Sequence, residues 1–195
     1  MFTDARIHAM LDTELADGDK LSLHSAYSAT GANEISGGSY ARQTIDWAAA
    51  ASRAKATAAA IDVPVPAGST VGWIGVWNSA GSTFKGMAPN GGSAKTYQVD
   101  LTNNTILCEG HGLTNGQRAV VLGSTAPGGL SIGTAYWVVG VTAGDPDTLQ
   151  LAATEGGAAI DFTSQPSADG TLSRIVLETY GSDGTHRVNS LSVAL

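Results

Sequence analysis

Cysteine is nearly absent from this chain: Cys108 stands alone among 195 residues. That excludes an internal disulfide and any zinc site built from several cysteines, and its place in the apolar run Ile106-Leu107-Cys108 marks it as a small buried hydrophobe. Positive charge is scarce too. Ten Lys and Arg stand against seventeen Asp and Glu, a formal net charge of -7. The ten are scattered, with no cluster that could neutralise a run of phosphates, so the sequence argues against a nucleic-acid partner. No apolar run is long enough to cross a bilayer, and no membrane insertion is expected. The amino-terminal MFTDARIHAMLDTEL carries Asp4, Arg6, Asp12 and Glu14 where a signal peptide needs an apolar core, so the expectation is a product made in the cytoplasm without a signal peptide.

Catalytic signatures are missing as well. His8, His24, His111 and His186 have no carboxylate or cysteine at metal-ligand spacing. The pairs Gly37-Gly38, Gly91-Gly92, Gly128-Gly129 and Gly156-Gly157 do not precede a helix with Lys-Ser/Thr, which rules out a phosphate cradle. There is no Gly-x-Ser-x-Gly elbow. Asp145-Pro146-Asp147 has the oxygens for weak calcium binding but lacks the regular alternation of donors that a dedicated loop supplies, and a solvated turn is the simpler reading. No catalytic residue, metal or cofactor is therefore expected. An enzyme remains open only as a site assembled from distant loops.

What is present is glycine, 25 of them, with many Ser, Thr and Ala residues: the composition of a β protein with many turns. Thr3 as N-cap, Asp4 in the first turn and Ile7, Met10, Leu11 and Leu15 on one face predict an amphipathic helix over 4–15. Leu21 and Leu23 alternate with Ser22 and His24 in a strand that runs into a loop through Gly37-Gly38. From Tyr40 alternation resumes and turns Ile45 and Trp47 toward a core. The Ala-rich stretch 48–60 has high helix propensity between strand-like flanks; strand, loop, strand is favoured, with a single helical turn as the alternative. Val71 to Trp77 reads as a central strand covered on both faces, by a second sheet on one and by the amino-terminal helix on the other. Trp73 and Trp77 are expected to be buried, with a sugar-stacking platform as the less favoured alternative. Runs at 119–122, 136–141 and 149–151, split by Gly, Pro and Asp clusters, predict a compact β module, and 188–195 a last strand.

Leu23-His24-Ser25-Ala26, Thr30-Gly31-Ala32-Asn33-Glu34, Ser36-Gly37-Gly38 and Tyr40-Ala41-Arg42-Gln43 together resemble the signature of a family of short virion proteins of tailed bacteriophages and prophages. Val65-Pro66-Ala67-Gly68-Ser69-Thr70-Val71, Gly75-Val76-Trp77 and Phe84-Lys85-Gly86-Met87-Ala88-Pro89 extend the resemblance over most of residues 20 to 92; the Ala-rich 48–60 departs from it. His111-Gly112-Leu113, Pro127-Gly128-Gly129-Leu130, Tyr136-Trp137-Val138-Val139, Leu149-Gln150-Leu151 and Gly156-Gly157-Ala158-Ala159-Ile160-Asp161 resemble a small β module of phage fibre and other virion proteins. Shorter relatives without that module end in a similar last strand.

The resemblance implies an all-β fold: a jelly-roll-like β-sandwich of residues 1–98 and 173–195 with an amino-terminal helix, interrupted by a small β domain over 99–172. It implies a non-enzymatic structural protein located in the virion. The tail fibre or tip is slightly favoured, and capsid decoration is the alternative. Partners would be tail proteins or the major capsid protein, in a homo-oligomer for which a trimer is favoured. The absence of a collagen-like or coiled-coil shaft weakens the fibre reading and helps the decoration one. A further alternative is a host-glycan-binding module with Tyr136 or Trp137 stacking on sugar, which requires exposed rings.

Overall fold

The computed structural model describes residues 2–144 and 147–194. Two compact units emerge, one formed by the chain up to Ala88 and again from Glu178 onward, the other by Pro89–Leu177. In chain order the elements begin with α1 (Asp4–Glu14), β1 (Lys20–His24), β2 (Gln43–Thr44), β3 (Ala54–Ala56), β4 (Ile61–Val65), β5 (Thr70–Val71), β6 (Trp73–Trp77) and β7 (Phe84–Pro89). The second unit holds β8 (Lys95–Thr96), β9 (Gln98–Asp100), β10 (Thr105–Leu107), β11 (Arg118–Leu122), β12 (Ala135–Thr142), β13 (Thr148–Ala152) and β14 (Thr171–Ile175). The chain then returns for β15 (Glu178–Thr179), β16 (Gly184–Val188) and β17 (Ser192–Ala194). The fold is all-β and sandwich-like, with an amino-terminal helix. Among the described residues no helix is long and apolar enough to cross a membrane.

In the first unit, β2-β1-β6-β7 form a sheet in which Leu21 faces Val76 and Leu23 faces Ile74 across antiparallel strands. The returning segment completes this unit: β15 pairs with β5, β16 with β4 and β17 with β3, all antiparallel. Leu21, Leu23, Ile74 and Val76 pack in one core with Val63, Val65, Val188 and Leu191, and Ile7, Leu11 and Leu15 of the helix segment join that same core. The helix therefore covers the same face as the second layer of strands, not the opposite one as expected. The other face of β1 and β6 presents Ser22, His24, Trp73, Gly75 and Trp77, and its indoles are already taken up, Trp73 by Tyr27 and Trp77 by Phe84 and Arg42. A loop covers that face instead.

The helix begins through the Thr3 backbone, whose carbonyl accepts from the N–H groups of Arg6 and Ile7 at 3.0 and 3.1 Å; the Thr3 hydroxyl makes no capping bond. Met10, expected on the packing face, is 44% exposed. Ile7, Leu11 and Leu15 advance by about 40° each around the axis, whereas Met10 lies about 60° to the other side of Ile7. The Ala-rich segment contains no helical turn. Ala51 and Ala54 exchange both backbone hydrogen bonds at 2.9 Å around Ser52 and Arg53, which both have positive φ (49° and 61°). This is a two-residue hairpin of the type whose twist matches its flanking strands. Lys55 adds the clamp that propensity does not report, donating to Asp12 and to the Leu15 carbonyl, each at 2.8 Å.

In the second unit the sheet order is β8-β14-β11-β12-β13-β10-β9. Tyr97 alone separates β8 from β9, so one stretch of chain pairs with β14 at one end of the sheet and with β10 at the other. The sheet thereby closes into a small barrel, and closure removes its free edges. Val99, Ile106, Val121, Val138, Leu149 and Leu151 alternate into its core. The boundaries expected at 98/99 and 172/173 differ from those of the compact units, 88/89 and 177/178, because β8 and the whole of β14 are staves of this barrel.

Candidate functional site

Everything that distinguishes the stretch 23–43 converges on the polar face of β1 and β6. Ser22 and His24 lie two apart on β1, so both side chains point to that face, and Gly75 opposite Ser22 leaves them room. A Cβ on Gly75 would stand 2.5 Å from both His24 Nε2 and Ser22 Oγ. His24 Nδ1 is 2.8 Å from the Ala32 carbonyl, which only accepts, so the imidazole proton sits on Nδ1. Nε2 is then the acceptor, the Ser22 hydroxyl donates to it at 2.7 Å, and Trp77 Nε1 donates to Ser22 Oγ at 2.9 Å. Burial holds the His24 imidazole below its ordinary pKa. Serine and histidine are thus brought together in a relay, but both are fully buried and every polar atom in it is committed. The arrangement orders a core; it presents no nucleophile to a substrate.

Over this relay sits an arginine clasp. Arg42 donates Nε to Glu34 Oε1 at 2.8 Å and its second terminal nitrogen to Oε2 at 2.6 Å, the bidentate fork that suits a carboxylate. Its remaining nitrogen donates to the Gly81 carbonyl at 2.7 Å, and the guanidinium lies 3.7 Å from the centre of the Trp77 ring. The Tyr40 hydroxyl donates to Glu34 Oε1 at 3.0 Å and accepts from the Leu23 N–H at 2.9 Å. Burial drives the Glu34 carboxyl upward, but the hydrogen bonds from Arg42 and Tyr40 outweigh it and hold the group below the usual carboxylate range. The loop itself is drawn in by Ser28, whose hydroxyl accepts from the N–H groups of Thr30 and Ala32. Gly31, at φ +80°, passes so close that a Cβ there would sit 2.5 Å from Trp77 and 2.8 Å from Phe84. The Thr-Gly-Ala-Asn-Glu and Tyr-Ala-Arg-Gln segments are two halves of one latch.

The rings proposed for sugar stacking do not form a platform. Tyr136 and Trp137 are adjacent on β12 and so point to opposite sides. Tyr136 is 8% exposed, packs in the barrel core and accepts from the Ser131 N–H at 2.9 Å. That removes it as a stacking surface. Trp137 is half-buried on the outside, with the Arg118 guanidinium 4.3 Å over its ring. Trp73 is buried against Tyr27, ring centres 5.2 Å apart. Cys108 is buried, its thiol pushed up by desolvation. Of Asp145-Pro146-Asp147, the first two lie outside the described residues; the Asp147 carboxylate accepts from the N–H groups of Gly144 and Gly110 and so serves as a turn acceptor. Among the described residues no group of three or more His, Cys, Asp or Glu is placed to hold a metal ion.

His186 is a second buried imidazole, with Nδ1 3.1 Å from the Tyr180 hydroxyl and 3.2 Å from Glu178 Oε2, while its Nε2 is buried without a partner. Sequence reasoning passed over the clasp. Its signal was available: Glu34 and Arg42 are the only Asp, Glu, Lys or Arg between Leu21 and Ile45.

No protein-family model matches the chain, and neither a curated protein nor a solved structure matches it.

Proposed function

We propose that this chain is a non-enzymatic accessory structural protein of a tailed-phage particle, placed at the tail fibre or tip and acting as a homo-oligomer. The observation that supports this reading is the latch. The residues that resemble the virion-protein signature spend their polar groups on one another, which is the use expected of a motif that keeps a docking surface rigid and not of one that performs a reaction. The all-β architecture with a chain interrupted by a barrel fits an assembly component as well, although fold alone does not give function. Immunogold labelling of purified particles with an antibody against this chain tests the reading. Label at the tail tip or fibres is the expected result. Label on the head would replace the tail assignment with capsid decoration, and purified particles lacking the chain would refute a virion role.

A further inference from the structure

Two arginines of this chain lie over a tryptophan ring. Arg42 stacks on Trp77 at 3.7 Å and forks its edge onto the Glu34 carboxylate. Arg118 stacks on Trp137 at 4.3 Å, and among the described residues nothing accepts a hydrogen bond from its guanidinium. The second arrangement is the first without its carboxylate. Comparable side chains do not share that omission: the other Lys and Arg that are buried or half-buried, Lys20, Arg42, Arg53, Lys55 and Lys85, each reach an oxygen, on Thr44, Glu34, Asp4, Asp12 and Asp19 respectively. Neither the Arg118 nitrogens nor the Trp137 indole nitrogen is sealed from solvent.

A stacked guanidinium with an open edge presents parallel donors, the geometry that suits a carboxylate. A phosphate group, with up to about two charges, is served better by several cations. Arg118 has no second cation on its face of the sheet: Lys95 and Arg174 stand opposite Leu172 and Ala119, on the face of the barrel core.

The carboxylates of this unit sort in the same way. Asp100, Asp147, Asp161 and Asp169 already accept hydrogen bonds within the chain. Glu109 follows Leu107, which faces Thr148 at the start of β13. Glu155 is exposed, and no described group donates to it. It stands in the turn that leaves the other end of β13 at Ala152, and Ala152 is the residue opposite Trp137. Within one copy β12 separates β11 from β13, a span of about 10 Å, and Arg118 and Glu155 form no ion pair. The surface around Trp137 thus carries a free guanidinium and a free carboxylate, with Ala135 and Val139 on the same face of β12. Such a patch is self-complementary across a two-fold axis.

We propose that the Arg118–Trp137 patch is a contact between two copies of this chain, in which Arg118 of each copy forks onto Glu155 of the other. The inference deepens the homo-oligomer named above and rests on that part of the reading.

Sedimentation equilibrium of the full chain at up to about 100 µM measures the association. The wild-type chain is expected to dimerise. Arg118→Glu and Glu155→Arg each bring like charges together at both symmetry-related pairs, and each is expected to raise the dissociation constant by about 100-fold, roughly tenfold per pair. Mixing the two variants restores Arg–Glu pairing only between different copies, so the mixture is expected to dimerise where neither variant alone does. Arg174→Ala, on the other face, is expected to leave the dissociation constant unchanged. A wild-type chain that stays monomeric would overturn both this contact and the homo-oligomer. An assembly unmoved by Glu155→Arg, a substitution in an exposed turn, would overturn the contact alone, as would a mixture of the two folded variants that stays monomeric.

Discussion

Arg42→Ala removes the centre of the latch, and its cost can be worked from the contacts. The Arg42 and Glu34 side chains are 27% and 19% exposed, between the buried case, where deleting one partner costs about 3–5 kcal/mol, and the exposed case, where a pair contributes about 0–1 kcal/mol. The ion pair therefore accounts for about 2 kcal/mol, and loss of the stack on Trp77 adds about 0.5–1 kcal/mol. The Gly81 carbonyl can turn to water and adds little. The expected loss is about 3 kcal/mol at neutral pH, with Arg42→Lys recovering less than half, because an ammonium keeps the charge but neither the fork nor the planar stack. In the native protein the lowered Glu34 pKa contributes stability that is present above the unfolded value of 4.5 and lost as pH falls through the folded one. Without Arg42 only the Tyr40 hydroxyl and the nearby His24 oppose burial at Glu34, so its pKa rises from the native position and the deficit of Arg42→Ala shrinks as pH falls to about 4. Urea unfolding followed by hydrogen exchange at the Leu21–His24 amides measures both effects. A loss under about 1 kcal/mol that is the same at both pH values would show that the clasp is a surface ornament.

Acid should weaken the first unit before its carboxylates titrate. His24 and His186 are both held below 6.5 by burial, so below that pH the unfolded chain takes up protons that the folded one refuses. Stability is present above pH 6.5 and declines as pH falls toward the folded values; a denaturation midpoint that stays constant from about pH 7 to 5 would contradict this. Gly75→Ala forces a methyl against the His24–Ser22 relay and should cost about 2–4 kcal/mol in urea unfolding, combining overpacking with a lost hydrogen bond. Gly37→Ala, at φ +97° with nothing within 4 Å, should cost only the left-handed backbone penalty of about 1 kcal/mol; equal costs would argue that the relay site is loose. Ending the chain at Leu177 deletes the partners of β3, β4 and β5 and takes Val188 and Leu191 from the core. Proton–nitrogen spectra of that truncation are expected to keep the dispersed barrel signals and lose those of the first unit, and retention of both sets would be inconsistent with the returning strands being required.

Alternation made β1 legible, and apolar runs bounded by Gly, Pro and Asp clusters made β6, β11, β12 and β13 legible. Helical spacing made the helix legible, but not its destination. Apolar residues on a helix say that a face is buried; which side of the sheet receives it depends on the aliphatic side Leu21-Leu23-Ile74-Val76 being open while the side of Ser22, His24, Trp73 and Trp77 is taken by the loop. The Ala-rich hairpin was half legible. Its flanks have strand chemistry, but its turn rests on positive φ at Ser52 and Arg53, residues with no special liking for that region, so tertiary context supplies what the local sequence does not. Val188 to Leu195 looked like one strand and is two, since Asn189 to Leu191 carries the chain from a partner at Ile61–Val65 to one at Ala54–Ala56. Pairings across more than a hundred residues leave no local trace. Barrel closure was hidden for the same reason: Lys95 to Asp100 is one short stretch of chain, and nothing in it announces two neighbours.

In the stretch that attracted attention in the sequence, the polar groups of His24, Glu34 and Tyr40 are spent inside the fold. His24 gives one nitrogen to Ser22 and the other to Ala32, Glu34 is shared by Arg42 and Tyr40, and Tyr40 also receives the Leu23 amide. A group already satisfied inside the fold has little left with which to recognise a partner. Density of unusual residues therefore points here to the demands of covering a polar sheet face with a loop, a task that regular packing does not solve. Recognition has to be sought where polar groups are left over.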